Sequence, residues 1–148
     1  MNKSCFRITI HEHSGVHTEW GEQSYLATIR IGSWRESFNL PIDHWKPSDY
    51  RRQWREGIGR LSVFRKSCLV TGMRDPCSAF KWDIWPLYRE EDLVYIRNQI
   101  IPCQRIDISK FHRLGIYSLI NNRGVSSSSI SEWTIPFSML MRFAGMSR

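Results

Sequence analysis

Residues 82–101, WDIWPLYREEDLVYIRNQII, decide the fold. Ile84, Trp85, Leu87 and Tyr88 precede the charged run Arg89-Glu90-Glu91-Asp92, and Leu93, Val94, Tyr95, Ile96, Ile100 and Ile101 follow it. Two aromatic and β-branched runs flanking four residues too polar to bury predict a β-hairpin. In its second arm Val94, Ile96 and Asn98 share one face and Leu93, Tyr95, Arg97 and Gln99 the other, as in a half-buried antiparallel strand. Pro86 cannot donate a ladder hydrogen bond, which points to an edge or a bulge in the first arm.

Outward from this hairpin, alternation marks further strands. Phe6, Ile8 and Ile10 alternate with Arg7, Thr9 and His11. Tyr25, Ala27, Ile29 and Ile31 do the same against Leu26, Thr28 and Arg30, and after a turn at Ile31-Gly32-Ser33 the run Trp34 to Leu40 predicts the returning strand. From Pro47 or Ser48 the period becomes helical: Tyr50, Trp54, Ile58 and Leu61 form one stripe, with Arg51, Arg52, Arg55 and Glu56 elsewhere. Gly57 and Gly59 are poor helix-interior residues and imply fraying or a close backbone approach. Ser67 to Thr71, Ile116 to Ile120 and Ile130 to Ile135 read as strands, Pro102 to Gly115 as a short helix or crossover, Asn121 to Gly124 as a turn, Ser126 to Ser129 as a polar loop, and Phe137 to Met146 as a terminal helix. The expected fold is α+β: an antiparallel sheet of about six or seven strands, one amphipathic helix after the early strands and a C-terminal helix, in a single domain over residues 1–148.

Composition bounds the function. Seven tryptophans and 41% hydrophobic residues describe a packed globular chain. No apolar run is long enough to span a membrane, and MNKSCFRITIHEHS has no signal-peptide core, so a soluble, cytoplasmic protein is expected. Cys5, Cys68, Cys77 and Cys103 form no CxxC pair, which points to free thiols in a reducing compartment. His11, His13 and His17 read as surface or turn residues rather than a metal site, since no carboxylate-rich neighbourhood completes a ligand set. The chain lacks GxSxG, GxxxxGK[ST], HExxH and GxGxxG, so it is not expected to be an enzyme.

The formal charge is +7, and between Arg51 and Lys66 six basic residues stand against one acidic. Such a run suits an anionic partner, either nucleic acid or an acidic protein face, or it is a solvated helix face. The tryptophans fall at core-like spacings rather than as a stacking platform, which weighs against nucleic acid but leaves a small basic RNA- or DNA-binding protein as the alternative.

The succession IRIGSWRESFNLP (29–41), SDYRRQWREGIGRL (48–61), KSCLVTGMRDP (66–76), the hairpin itself and ISEWTI (130–135) resembles the immunity proteins of bacterial contact-dependent growth-inhibition systems. The resemblance runs over about residues 25–136 and is carried by Tyr50, Gln53 and Trp54, by Cys68 to Thr71, by Tyr88 with Val94 to Asn98, and by Ser131-Glu132-Trp133. It implies a cytoplasmic antidote that binds the C-terminal toxin domain of an effector, often a nuclease, in a stoichiometric complex, with no catalysis and no cofactor. The shared motifs are apolar and encode the fold, so partner choice is expected on motif-free surface. The candidate toxin-binding residues are Arg51, Arg52 and Arg55 on the polar helix face, Glu90, Glu91 and Asp92 in the hairpin turn, and Asn122 and Arg123 with the loop running to Ser129.

Overall fold

The computed structural model describes residues 5–75, 81–102, 113–124 and 130–146. The element order is β1 (Phe6–His11), a 3₁₀ turn (Glu12–Ser14), β2 (His17–Glu19), β3 (Glu22–Ile31), β4 (Trp34–Pro41), α1 (Pro47–Arg60), β5 (Lys66–Gly72), β6 (Lys81–Glu90), β7 (Leu93–Arg97), β8 (Gln99–Pro102), a 3₁₀ segment (Arg113–Leu119), β9 (Glu132–Pro136) and α2 (Phe137–Phe143). The class is α+β, with the two helices where the sequence places them. The strands are divided between two antiparallel sheets of four and five strands, where one sheet of six or seven was expected.

In the first sheet β3 is central. Its Ala27, Ile29 and Ile31 face the core together with Phe6, Ile8 and Ile10 of β1, and Thr28 and Arg30 point away, as the period of two requires. The exposed β2 has no apolar alternation and was not foreseen. In the second sheet the order is β5-β6-β7-β9, with β8 also on β6.

The decisive hairpin stands, with Glu91 at a left-handed φ of 57° in its turn. β7 and β8 continue one register against β6, since Leu87 opposes Ile96 and Ile84 opposes Gln99. Pro86 lies opposite Cys68 in a central strand, not at an edge. Arg89 N–H donates to Arg65 O at 2.8 Å, and alternation from that bond turns the peptide groups of residue 86 away from β5, toward the interval between β7 and β8. The missing proline N–H falls where the paired arm is interrupted.

The stripe Tyr50, Trp54, Ile58 and Leu61 is buried as its spacing predicts, and one core takes in both sheets and both helices. Trp34 of β4, Trp85 of β6 and Trp133 of β9 meet with ring centroids 4.3–6.2 Å apart and tie the sheets together. Ile116 to Leu119 belong to the 3₁₀ segment and not to a strand, and Ile120 follows its last residue. Ile116, Tyr117 and Ile120 are buried while Ser118 is exposed, a spacing of one and four that a helical turn satisfies. The Ser126 to Ser129 loop, most of Pro102 to Gly115, Cys77 and Cys103 lie outside the described residues. Cys5 and Cys68 are free thiols.

Candidate functional site

The eight candidate residues separate into two groups. On α1, Arg51, Arg52 and Arg55 project from the face opposite the buried stripe and are exposed. Arg51 Nη2 donates to Glu12 Oε2 at 2.8 Å, which anchors the helix to the turn after β1. Arg52 Nη1 reaches Asp49 Oδ1 at 3.4 Å within its own first turn. These are exposed pairs, worth at most a few tenths to about 1 kcal/mol. Arg55 has no ion-pair partner among the described residues.

The second group gathers on the outer face of the five-stranded sheet. Arg123 grips Glu132 with two donors, Nε to Oε2 at 3.0 Å and Nη2 to Oε1 at 2.8 Å, reaches Glu90 Oε2 at 3.4 Å, and lies 3.8 Å over the Tyr95 ring. Hydrogen bonding to Glu132 holds its guanidinium above the ordinary range. Arg97 Nε donates to the same carboxylate at 2.8 Å and Nη1 to Arg123 O at 2.9 Å. Asn122 Oδ1 accepts from Lys66 Nζ at 3.3 Å. In the turn, Glu91 O accepts from Arg89 Nε at 2.6 Å and Asp92 O from Phe137 N–H at 2.7 Å, while the three acidic side chains are exposed. The structure therefore brings Glu90 and Arg123 together and leaves the helix arginines elsewhere.

The basic run splits as well. Arg60 stacks 4.1 Å over Tyr117 and 4.6 Å over Phe64, and Lys66 Nζ donates to Ile120 O at 2.8 Å. Only Arg51, Arg52, Arg55 and Arg65 of the six cations remain exposed.

Three polar clusters escaped the sequence reading, because each joins residues far apart in the chain. Arg74 pairs with Glu22 at 2.6 Å and Asp83 at 3.0 Å; burial opposes its charge, but the two carboxylates more than compensate and raise its pKa. The Arg97–Glu132–Arg123 cluster is the second. In the third, Gln53 Nε2 donates to Cys68 O at 2.9 Å and to the Tyr117 hydroxyl at 3.1 Å, its Oε1 accepts from Val70 N–H at 2.7 Å, and Tyr117 donates to Glu56 Oε2 at 2.7 Å. Burial pushes the Tyr117 hydroxyl and the Cys68 thiol far up. The sequence signal was a glutamine on the buried helix stripe.

His11 Nε2 lies 3.0 Å from Thr28 Oγ1, and no group of three metal-ligating side chains occurs among the described residues. No described helix is long and apolar enough to cross a membrane. Among the open grooves of the described surface, two lie along the first sheet. One, about 470 Å³, lies between the sheets beside Trp20, Glu36 and Ile100. The other, about 620 Å³, follows β1 against α2 and takes in Arg51.

Two antiparallel sheets, a helix stitched over the edge of one of them and a short C-terminal helix define an α+β domain. The chain belongs to the family described as the CdiI N-terminal domain, whose model matches residues 40–143, and so to the immunity proteins of contact-dependent growth inhibition. It is 28% identical over 127 residues to the immunity protein CdiI of Enterobacter cloacae subsp. cloacae, covering 83% of this chain and 86% of that protein. Its structure is similar to a chain of the CdiA-CT/CdiI toxin and immunity complex from Enterobacter cloacae, with a TM-score of 0.83, 26% identity and coverage of 95% of this chain and 96% of that one.

Proposed function

We propose that the protein neutralises the C-terminal toxin domain of a contact-dependent growth-inhibition effector by forming a stoichiometric complex with it in the cytoplasm, without catalysis, and that the toxin is a nuclease. One observation carries this reading: a chain from a toxin and immunity complex matches this one along nearly its whole length, at a TM-score of 0.83. Neutralisation by binding needs a rigid surface rather than a reactive centre. The three polar clusters described above hold elements in place, which suits that requirement.

The candidate contact residues remain Arg51, Arg52 and Arg55 on one side and Glu90, Glu91, Asp92, Asn122 and Arg123 on the other. Exposure favours the first group and the side chains of the turn. Arg123 is more deeply committed to Glu132, so its contribution would be to keep the Glu90 carboxylate oriented.

The test is coexpression with the C-terminal domain of the polypeptide encoded immediately upstream. The expected outcome is that the domain arrests growth alone, is harmless with this chain, and is recovered with it in a one-to-one complex. A harmless, unbound domain would refute the proposal. RNA or DNA binding through the Arg51–Lys66 run is the second reading, favoured by the exposure of four of its cations. It predicts affinity falling linearly in the logarithm of salt concentration, which a packed protein interface does not show beyond its steering component.

A further inference from the structure

We propose that the groove bounded by β1, α1 and α2 receives an extended, acidic segment of the toxin domain, which adds to β1 as a further strand. The inference rests on the immunity reading and names the surface and the chemistry by which that reading works.

The first observation is an open sheet edge. β1 pairs with β3 alone, and nothing among the described residues pairs with its other side. Gly32 N–H donates to Cys5 O at 2.7 Å, so alternation along the antiparallel ladder directs the peptide groups of Arg7 and Thr9 to β3 and those of Phe6, Ile8 and Ile10 outward. The side chains of Phe6, Ile8 and Ile10 are buried, so the outward peptide groups belong to the best-anchored residues of the strand. The contrast with β5 is instructive: there the Gln53 amide meets the outward Cys68 carbonyl and Val70 N–H. β1 has no such cover among the described residues, and unpaired edges are templates for strand addition.

The second observation is charge. The groove of about 620 Å³ runs along all of Cys5 to Ile10 against α2, and a second depression of about 280 Å³ over α1 shares Ile8, Arg51 and Phe143 with it. The two adjoin at these residues. Arg7, Arg51, Arg55 and Arg142 line the two, and among the described residues no acidic side chain does, Glu12 reaching only Arg51 from the turn beyond β1. Arg7, Arg55 and Arg142 have no ion-pair partner among the described residues.

These features select the occupant. A second copy of the chain paired edge to edge would bring the same arginines against each other, which like-charge repulsion opposes. A nucleic acid backbone would satisfy the arginines, but its phosphates only accept, and they offer no donors for the outward carbonyls at the strand repeat of about 3.3 Å. An extended polypeptide with carboxylates at alternate positions meets both demands, its backbone pairing with β1 and its acids with the guanidinium groups.

The experiment combines amide exchange with charge reversal, using the cognate toxin domain as the probe. With the wild-type chain, toxin binding is expected to protect the Phe6, Ile8 and Ile10 amides from hydrogen exchange. Arg7→Glu with Arg142→Glu is expected to weaken binding on the order of 100-fold, whereas Arg35→Glu with Arg65→Glu, an equal charge change outside the groove, should leave it within a few-fold. Circular dichroism melting of both double variants establishes that each is folded. Toxin bound without protection of the three amides, or with undiminished affinity for the groove variant, overturns the inference and leaves the immunity reading intact. A toxin domain that fails to bind the wild-type chain overturns the immunity reading itself. Protection of the same amides by a single-stranded RNA oligonucleotide and not by toxin reassigns the groove to nucleic acid.

Discussion

Gln53 spends both ends of its amide on the edge of β5, accepting from Val70 N–H at 2.7 Å and donating to Cys68 O at 2.9 Å. A buried glutamine is justified only when satisfied, and its loss exposes the partners to the full desolvation penalty. Gln53→Leu, which keeps the volume, is expected to cost on the order of 2–4 kcal/mol by urea unfolding, with the m-value unchanged. One turn later, Gly57 lies so close to Cys68 O that an added Cβ would overlap it. Helix propensity argues that Gly57→Ala should stabilise by about 1 kcal/mol. The steric argument points the other way and is larger, because the obstacle is backbone of the strand beneath: α1 would have to lift, losing the bonds of Gln53 and the Trp54 indole, which donates to Val70 O at 2.7 Å. A net loss of about 2 kcal/mol or more is expected from the same measurement; a gain would show that α1 can shift without penalty.

Among the elements, one carboxylate ties the segment from Asn121 to Gly124 to the paired strands β7 and β9. Glu132 is 15% exposed and serves both Arg97, which is 11% exposed, and Arg123. Glu132→Gln keeps the shape and removes the charge, leaving the Arg97 guanidinium buried without compensation, a situation that costs on the order of 3 kcal/mol. Arg123 retains Glu90 at 3.4 Å, so the expected change is a lower unfolding midpoint with a folded baseline; a shift below about 0.5 kcal/mol would make the cluster a surface pair in energetic terms. This level also shows what the sequence could convey. The β6 to β8 hairpin, the β3–β4 hairpin and the α1 stripe were legible because each is written in a local period of two or between three and four. The division into two sheets was not, because which strand pairs with which depends on contacts such as Trp34 with Trp133, 99 residues apart and carrying no periodic mark. Ile116 to Ile120 failed for a related reason: five residues are too few to separate a strand from a helical turn. For the candidate site, the exposure of Arg51, Arg52 and Arg55 followed from their place off the stripe, whereas the groove along β1 could not be read without knowing which strand edge stays open.

At the scale of the whole molecule, the core encloses protonated acids. Cys68 and Tyr50 are fully buried and Tyr117 is 5% exposed, and in all three burial is the main cause of a pKa raised above its ordinary value, 9.0 for the thiol and 10.0 for the phenols. At pH values above those ordinary figures the unfolded chain releases these protons and the folded chain keeps them. The folded state then binds more protons than the unfolded one, so stability falls as pH rises, by up to about 1.4 kcal/mol per pH unit for each group once its unfolded value is passed. Below about pH 8 both states hold these protons and the three groups contribute no pH dependence. Their contribution to the melting temperature is therefore expected to be flat up to about pH 8, to turn down near pH 9 as Cys68 begins to count, and to steepen beyond pH 10 when the tyrosines join. Cys68→Val, of similar size, removes the first onset and should move the downturn by about one pH unit toward the tyrosine range. If the two proteins lose stability in parallel from pH 9, the thiol is not what the core protects, and the early loss belongs to surface groups whose repulsion or pairing changes with the net charge of +7.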